Sequence, residues 1–170
     1  MGPVELRRAN RSDADFLLEL ITAEDTREFL GGRTADTLEG VLADIARSEQ
    51  EPESFGWLVA EREGERVGCA AYSVVNERSR IVEGRRLAVH PRFRGERLGD
   101  DIARAFQRLV LDDLRFHRLE LQIYGFNDRA IAHAERVGYV REGVKRKAYL
   151  KDGAWQDAVL YSMLRDELPS

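Results

Sequence analysis

Cysteine is nearly missing from this 170-residue chain: Cys69 stands alone, so no internal disulfide and no thiolate metal cluster can form. The three histidines, His90, His117 and His133, are too far apart in sequence to repeat a metal-ligand spacing, and no metal is expected. Long apolar runs are also absent. Nothing approaches the roughly 18 residues of a membrane span, and Met1 to Asn10 lacks the apolar centre of a secretory leader. A cytoplasmic protein without a membrane partner is expected. With four prolines, no Pro/Gly/Ser linker, no repeat and no low-complexity tract, the chain shows no boundary, and residues 1–170 read as one domain. What remains is 43% hydrophobic and 34% charged, enough apolar material for a buried core.

Excess positive charge is lacking too, since the net charge is −4. A nucleic-acid binder is more often basic over a wide surface, and none is expected as a partner. The distribution says more than the sum. Residues 1–75 carry a balance of −8, residues 76–99 of +4 and residues 100–170 of zero. Basic charge focused in one short stretch suits a single anionic ligand group, although a solvated Arg-rich strand and loop has the same composition.

Val4 to Ala9 alternates as a first strand. Ser12 with an acidic residue three positions on, ahead of Phe16, Leu17, Leu20 and Ile21, reads as a capped helix. Leu38, Val41, Leu42 and Ile45 have the spacing of a second helix. Phe55 to Glu61 and Arg66 to Val75 form a hairpin, and Ile81 to Val89 a fourth strand ended by His90-Pro91. A helix from about Gly99 to Leu114, a strand Leu119 to Tyr124 and a helix Asn127 to Val137 stopped by Gly138 follow. Tyr139 to Leu150 and Trp155 to Met163 close the chain as a hairpin around Lys151-Asp152-Gly153. The order β-α-α-β-β-β-α-β-α-β-β is α+β with a mixed sheet.

The stretch Leu87 to Gly99 is a strand end, a compact loop and a helix start. Unpaired N–H groups and the positive end of a helix dipole meet in such a place and bind anions. The loop lacks the Gly-Lys-Ser/Thr ending of a P-loop, and no Gly-x-Gly-x-x-Gly follows a first strand. On its residues alone it reads equally as an anion cradle or a structural turn.

Pro91-x-x-Arg94-Gly95-x-x-Leu98-Gly99 after an apolar strand resembles the acetyl-CoA loop of the GCN5-related N-acetyltransferases, the GNAT family. The resemblance continues through Asn127-x-x-Ala130, Glu135-Arg136-Val137-Gly138-Tyr139 and Glu142-Gly143 to Asp152-Gly153-x-Trp155-x-Asp157. This spacing is similar to the branch holding the ribosomal-protein N-terminal acetyltransferases and the spermidine acetyltransferases, and it covers nearly the whole chain. It implies a mostly antiparallel sheet splayed between strands four and five, with flanking helices. It also implies an acetyl-CoA-dependent enzyme acting on a primary amine, with acetyl-CoA as cosubstrate and no metal.

By the same resemblance the pantetheine arm pairs with Leu87, Ala88 and Val89, where a backbone N–H would polarise the thioester carbonyl. The diphosphate lies on Arg94, Gly95, Glu96, Arg97, Leu98 and Gly99, and Asn127 bonds the arm, although Asn127 reads equally as a helix cap. Arg97 stands where the family has its first loop glycine. Asp100 and Asp101 would repel a diphosphate and are expected to face solvent. Glu83, eight residues before Pro91, falls where many members carry a base, while on residues alone it is equally a surface carboxylate; Glu77 is a weaker candidate. The tyrosine that commonly protonates the leaving thiolate is replaced by Ala134, with Tyr124, Tyr149 and Tyr161 as possible substitutes. Cys69, set in Val67-Gly68-Cys69-Ala70-Ala71, reads as an inert core thiol.

The acceptor expected is a protein or peptide N-terminal amine. The alternatives are a small amine (antibiotic, polyamine or amino-acid derivative) or a non-catalytic acyl-CoA-binding module. Glu24, Asp25 and Glu28 in the acidic first half are consistent with a partly cationic acceptor. A homodimer is compatible with the pattern.

Overall fold

The computed structural model describes residues 2–27 and 36–170. Its frame is a seven-stranded sheet in the order β1-β2-β3-β4-β5-β7-β6. The strands are β1 (Glu5–Arg8), β2 (Phe55–Arg62), β3 (Glu65–Asn76), β4 (Ile81–Val89), β5 (Arg118–Tyr124), β6 (Val140–Lys151) and β7 (Ala154–Leu164). The helices are α1 (Ala14–Thr22), α2 (Glu24–Arg27), α3 (Leu38–Gln50), α4 (Leu98–Arg108) and α5 (Asp128–Arg136). Every neighbouring pair is antiparallel except β4 with β5. That parallel pairing covers only Ile81–Glu83 against Arg118–Glu120, so from Gly84 to Val89 the sheet is split. The mixed, mostly antiparallel sheet splayed between strands four and five is the architecture that the family resemblance implied.

Two apolar layers hold the helices on opposite faces. Leu17, Leu20 and Ile21 of α1 with Val41 and Ile45 of α3 pack on Trp57, Val59, Cys69 and Ala71. Ile102, Phe106, Val110 and Leu111 pack on Ala70, Tyr72, Val82 and Leu119 from the other face. The split begins beside Gly84, where a Cβ would lie 2.9 Å from Leu121 Cδ2 and 3.0 Å from Phe106 Cε1, so the packing of α4 leaves no room for a side chain at that position.

A 3-10 turn, Arg11–Asp13, leads into α1 and is capped by Asn10 rather than Ser12: Asn10 Oδ1 accepts from Ser12 N–H at 2.9 Å and Asp13 Oδ2 accepts from Asn10 N–H at 2.9 Å. Asp13 is buried because Arg7 reaches it through both terminal nitrogens, at 2.7 and 2.8 Å, a long-range pairing that a local motif cannot show. The fourth helix runs through Arg108 into a π-helical turn, Leu109–Asp113. Cys69 is fully buried, its thiol donates to Arg86 O at 3.1 Å, and burial pushes it up to about 11. It is the inert core thiol expected. Among the described residues no helix is long and apolar enough to cross a membrane.

Candidate active site

A cleft of about 670 Å³ fills the split between β4 and β5. One wall is the free edge of β4. Its partner on the other side, β3, pairs Cys69 with Ala88 and Ala71 with Arg85, so Arg86 and Leu87 form a bulge opposite Ala70, with Arg86 at φ +53°. Leu87, Ala88 and Val89 line the cleft, and on the β5 side their strand has no ladder partner, leaving backbone groups for an extended guest. The Ala88 side chain turns away into the α1/α3 layer, so its contribution here is main chain.

Glu83 sits at the vertex, 8% exposed, and is not the surface carboxylate that strand position alone allowed. Its Oε1 lies 2.9 Å from Arg85 Nε and its Oε2 accepts from Gln122 Nε2 at 2.8 Å. Gln122 Oε1 in turn accepts from the Tyr149 hydroxyl and, at 3.3 Å, from Lys145 Nζ. The chain of bonds therefore crosses from β4 over β5 to β6 at the point where the strands part. Donors fill the amide oxygen and a carboxylate fills the amide nitrogen, which settles the orientation of Gln122. Glu77 is not among the residues lining the cleft.

The loop after β4 turns through Gly95 at φ +90° and Arg97 at φ +57°, ψ 20°, before α4 begins at Leu98. The left-handed conformation at Arg97 is the physical reason a glycine is usual there. Arg94, Gly95, Arg97, Leu98 and Gly99 line the cleft; Glu96 does not, and its exposed carboxylate is 3.9 Å from Arg62. The Arg94 guanidinium is already engaged. It binds Asp25, donates to Thr26 Oγ1 at 3.2 Å and sends Nε to Val89 O at 3.3 Å, tying the loop to α2. Asp25 is thereby neutralised, and Glu28 lies outside the described residues. Asn127 lines the cleft and caps α5, its Oδ1 accepting from Ala130 N–H at 3.1 Å, which leaves its amide nitrogen to donate.

Asp100 departs from expectation. It is 5% exposed rather than solvated, held by Arg136 Nη2 at 2.7 Å and Nε at 3.0 Å, with His133 Nε2 at 3.3 Å. The Arg136 guanidinium keeps its carboxyl below the ordinary carboxylate range. Burial lowers His133, and the Asp100 charge only partly offsets that. The counter-charge on Arg136 and the neighbouring His133 imidazole come from α5, thirty-six and thirty-three residues away in sequence, so the turn of α4 could not reveal them. Asp101 stays near the surface and pairs with Arg62 Nη2 at 2.6 Å.

Ala134 is buried against the cleft with no hydroxyl to offer. Of the substitute tyrosines, Tyr124 and Tyr149 line the cleft, whereas Tyr161 lies in the core and donates to Glu135 Oε1 at 2.8 Å. Sequence reading missed Arg85, Gln122, Arg129 and His133, all of which line the cleft. The β5 pattern held a signal: Glu120, Gln122 and Tyr124 alternate with Leu119, Leu121 and Ile123, polar on the face opposite the α4 core.

A family model described as "Acetyltransferase (GNAT) domain" matches residues 4–140. The chain belongs to the GNAT family. This GNAT protein is an acetyl-CoA-dependent N-acetyltransferase. It is 26% identical over 126 residues, 74% of this chain and 71% of the other, to the SPbeta prophage-derived uncharacterized N-acetyltransferase YokL of Bacillus subtilis (strain 168). Its fold is similar to that of spermidine N-acetyltransferase from Vibrio cholerae in complex with CoA and spermine, with a TM-score of 0.86 at 17% identity, covering 97% of each chain. A chimera of that enzyme with hSSAT matches at a TM-score of 0.85 and 17% identity over 97% of both chains. At such identity these structures speak for the GNAT fold.

Proposed function

We propose that this GNAT enzyme transfers the acetyl group of acetyl-CoA to the N-terminal amine of a protein or peptide by direct attack. The free β4 edge at 87–89 fits an arm with alternating amide donors and acceptors, and one of its N–H groups polarises the thioester carbonyl. The start of α4, with Arg97 and Arg129, receives the diphosphate. The Asn127 amide nitrogen donates to the arm.

The arrangement at Glu83 carries the choice of acceptor. Its Oε2 already accepts a hydrogen bond from Gln122 and its Oε1 is paired with the Arg85 guanidinium, so it holds the incoming ammonium or a water that removes the proton, with limited capacity left. The acceptor that needs least help is an α-amine, about a tenth neutral at pH 7, whereas a lysine-like amine is well under a hundredth neutral. Attack forms the C–N bond, the C–S bond breaks, and the thiolate, with an ordinary pKa near 8.5, departs without a phenol at position 134. The lone buried thiol suits a cytoplasmic setting.

The test is thiol release from acetyl-CoA with N-terminal peptides, N-blocked lysine peptides, polyamines and aminoglycosides. Turnover of the free N-terminal peptides at least tenfold above the others is expected. Turnover confined to polyamines or aminoglycosides would replace this reading with the small-amine one.

A further inference from the structure

Beyond the reacting amine, the charges on the acceptor side of the cleft restrict what can follow it. Gln122 and Tyr124 project from β5 on the face opposite the α4 core, and three cations stand on groups that line the cleft. Arg85 Nε is 2.9 Å from Glu83 Oε1. Lys145 Nζ is 3.3 Å from Gln122 Oε1, and Lys151 Nζ is 5.5 Å from the centre of the Tyr124 ring. Glu83, Gln122 and Tyr124 all line the cleft. Lys145 and Lys151 enter no salt bridge among the described residues. The rest of β6 adds Arg141, Arg146 and Lys147 against a single Glu142.

Among the described residues most of the anions in reach are already bonded. Arg118 takes both Glu120, at 2.7 Å, and Glu142. Asp25 is taken by Arg94, while Asp157 accepts the main-chain N–H of Lys147 at 2.8 Å and keeps its charge. Glu83, itself paired with Arg85, is left to meet the amine, with Lys145 and Lys151 beside it outside any salt bridge among the described residues. A second ammonium on the acceptor would enter this field against repulsion, and the face of Tyr124, which could otherwise hold a cation, is already covered by Lys151.

We propose that the acceptor carries a negative charge, a carboxylate or phosphate, close behind its amine. Glu83 then meets the amine while Arg85, Lys145 and Lys151 meet the anionic group. For the peptide acceptor argued above, acidic residues follow the first position. The inference rests on Glu83 as the amine site and is separable from the peptide reading.

Two matched pairs test it by thiol release at low salt. One is a peptide with glutamates at its second and third positions against the same peptide with lysines there; the other is β-alanine against 1,3-diaminopropane. Exposed ion contacts of ordinary strength sum to about a tenfold preference in kcat/KM for the acidic member of each pair, shrinking as salt is raised. Lys145→Gln combined with Lys151→Gln should cut that preference to about twofold, with the acetyl-CoA KM and the melting temperature as controls for folding. Preference for the basic members, or a preference that the double variant leaves intact, overturns the inference. If β-alanine beats the diamine while neither peptide turns over, the peptide reading falls and the charge inference stands. Equal use of both peptides and of both small amines has the opposite meaning. For compounds that do not turn over, calorimetric binding to the CoA-loaded protein supplies the same ranking.

Discussion

At Arg97 a single backbone angle links stability to binding. A non-glycine residue at φ +57° carries a strain of roughly 1–2 kcal/mol, partly repaid because glycine is freer in the unfolded chain. Arg97→Gly should therefore stabilise the protein by about 0.5–1 kcal/mol, raising the melting temperature by about 1–4 °C. The same change removes a guanidinium from the cleft, so the acetyl-CoA KM should rise several-fold. A calorimetric melt and a KM measurement on one preparation check both halves. Glu83 gives a second test at this scale. Glu83→Gln keeps the size of the side chain but lacks the negative charge that receives an ammonium, so kcat/KM for the acceptor should fall about 10²-fold at pH 7. The deficit should narrow towards pH 9, where the amine deprotonates unaided, with the acetyl-CoA KM unchanged. A loss that is the same at every pH would assign Glu83 a structural role.

Between elements, α4 and α5 are joined by Asp100, Arg136 and His133 under the loop. Both titratable groups are lowered in the folded protein, His133 by burial and Asp100 by Arg136. A lowered group binds fewer protons folded than unfolded, so its stability contribution is whole above the unfolded pKa and is lost as pH falls through the folded one. His133 sets the upper step, beginning near pH 6.5, and Asp100 the lower one, beginning near pH 4. Melting temperature should be flat above pH 7 and decline in two stages below it. His133→Gln should remove the upper stage alone, which melts between pH 4.5 and 8 would register. The element scale also explains why the sequence misplaced Asp100. The first turn of a helix welcomes carboxylates in solvent or indoors alike, and only the packing of α5 supplies the buried partners.

For the whole molecule, the split sheet is the main consequence of the fold. An open cleft between two packed halves leaves the β4 edge beyond Glu83 without a strand partner, and the cosubstrate proposed to complete it would bind the folded chain alone. Acetyl-CoA at a hundred times its dissociation constant should stabilise by about 2.7 kcal/mol, raising the melting temperature by about 5–10 °C. A titration without any shift would remove the cleft at 87–99 as the acetyl-CoA site.

The sequence by itself determined the elements and the loop. Alternation and 3.6-residue spacing report which face of each segment is apolar, and the turn at Asp152-Gly153, both with positive φ, is written in residue types that tolerate that conformation. The run from Pro91 to Gly99 marked the family because a strand, a tight turn and a helix start must be adjacent in the chain. What the tertiary structure alone decided is everything that depends on partners distant in sequence. Glu83 became a buried carboxylate bonded by Gln122 and paired with Arg85 because Gln122, thirty-nine residues on, reaches it across the parted strands. Arg94, in the loop after β4, is bound by Asp25, sixty-nine residues earlier. Side-chain charge and hydrogen-bond capacity can be read from residue types, but which donor meets which acceptor is settled only when the sheet sets β4 beside β5, with β6 on the far side of β7.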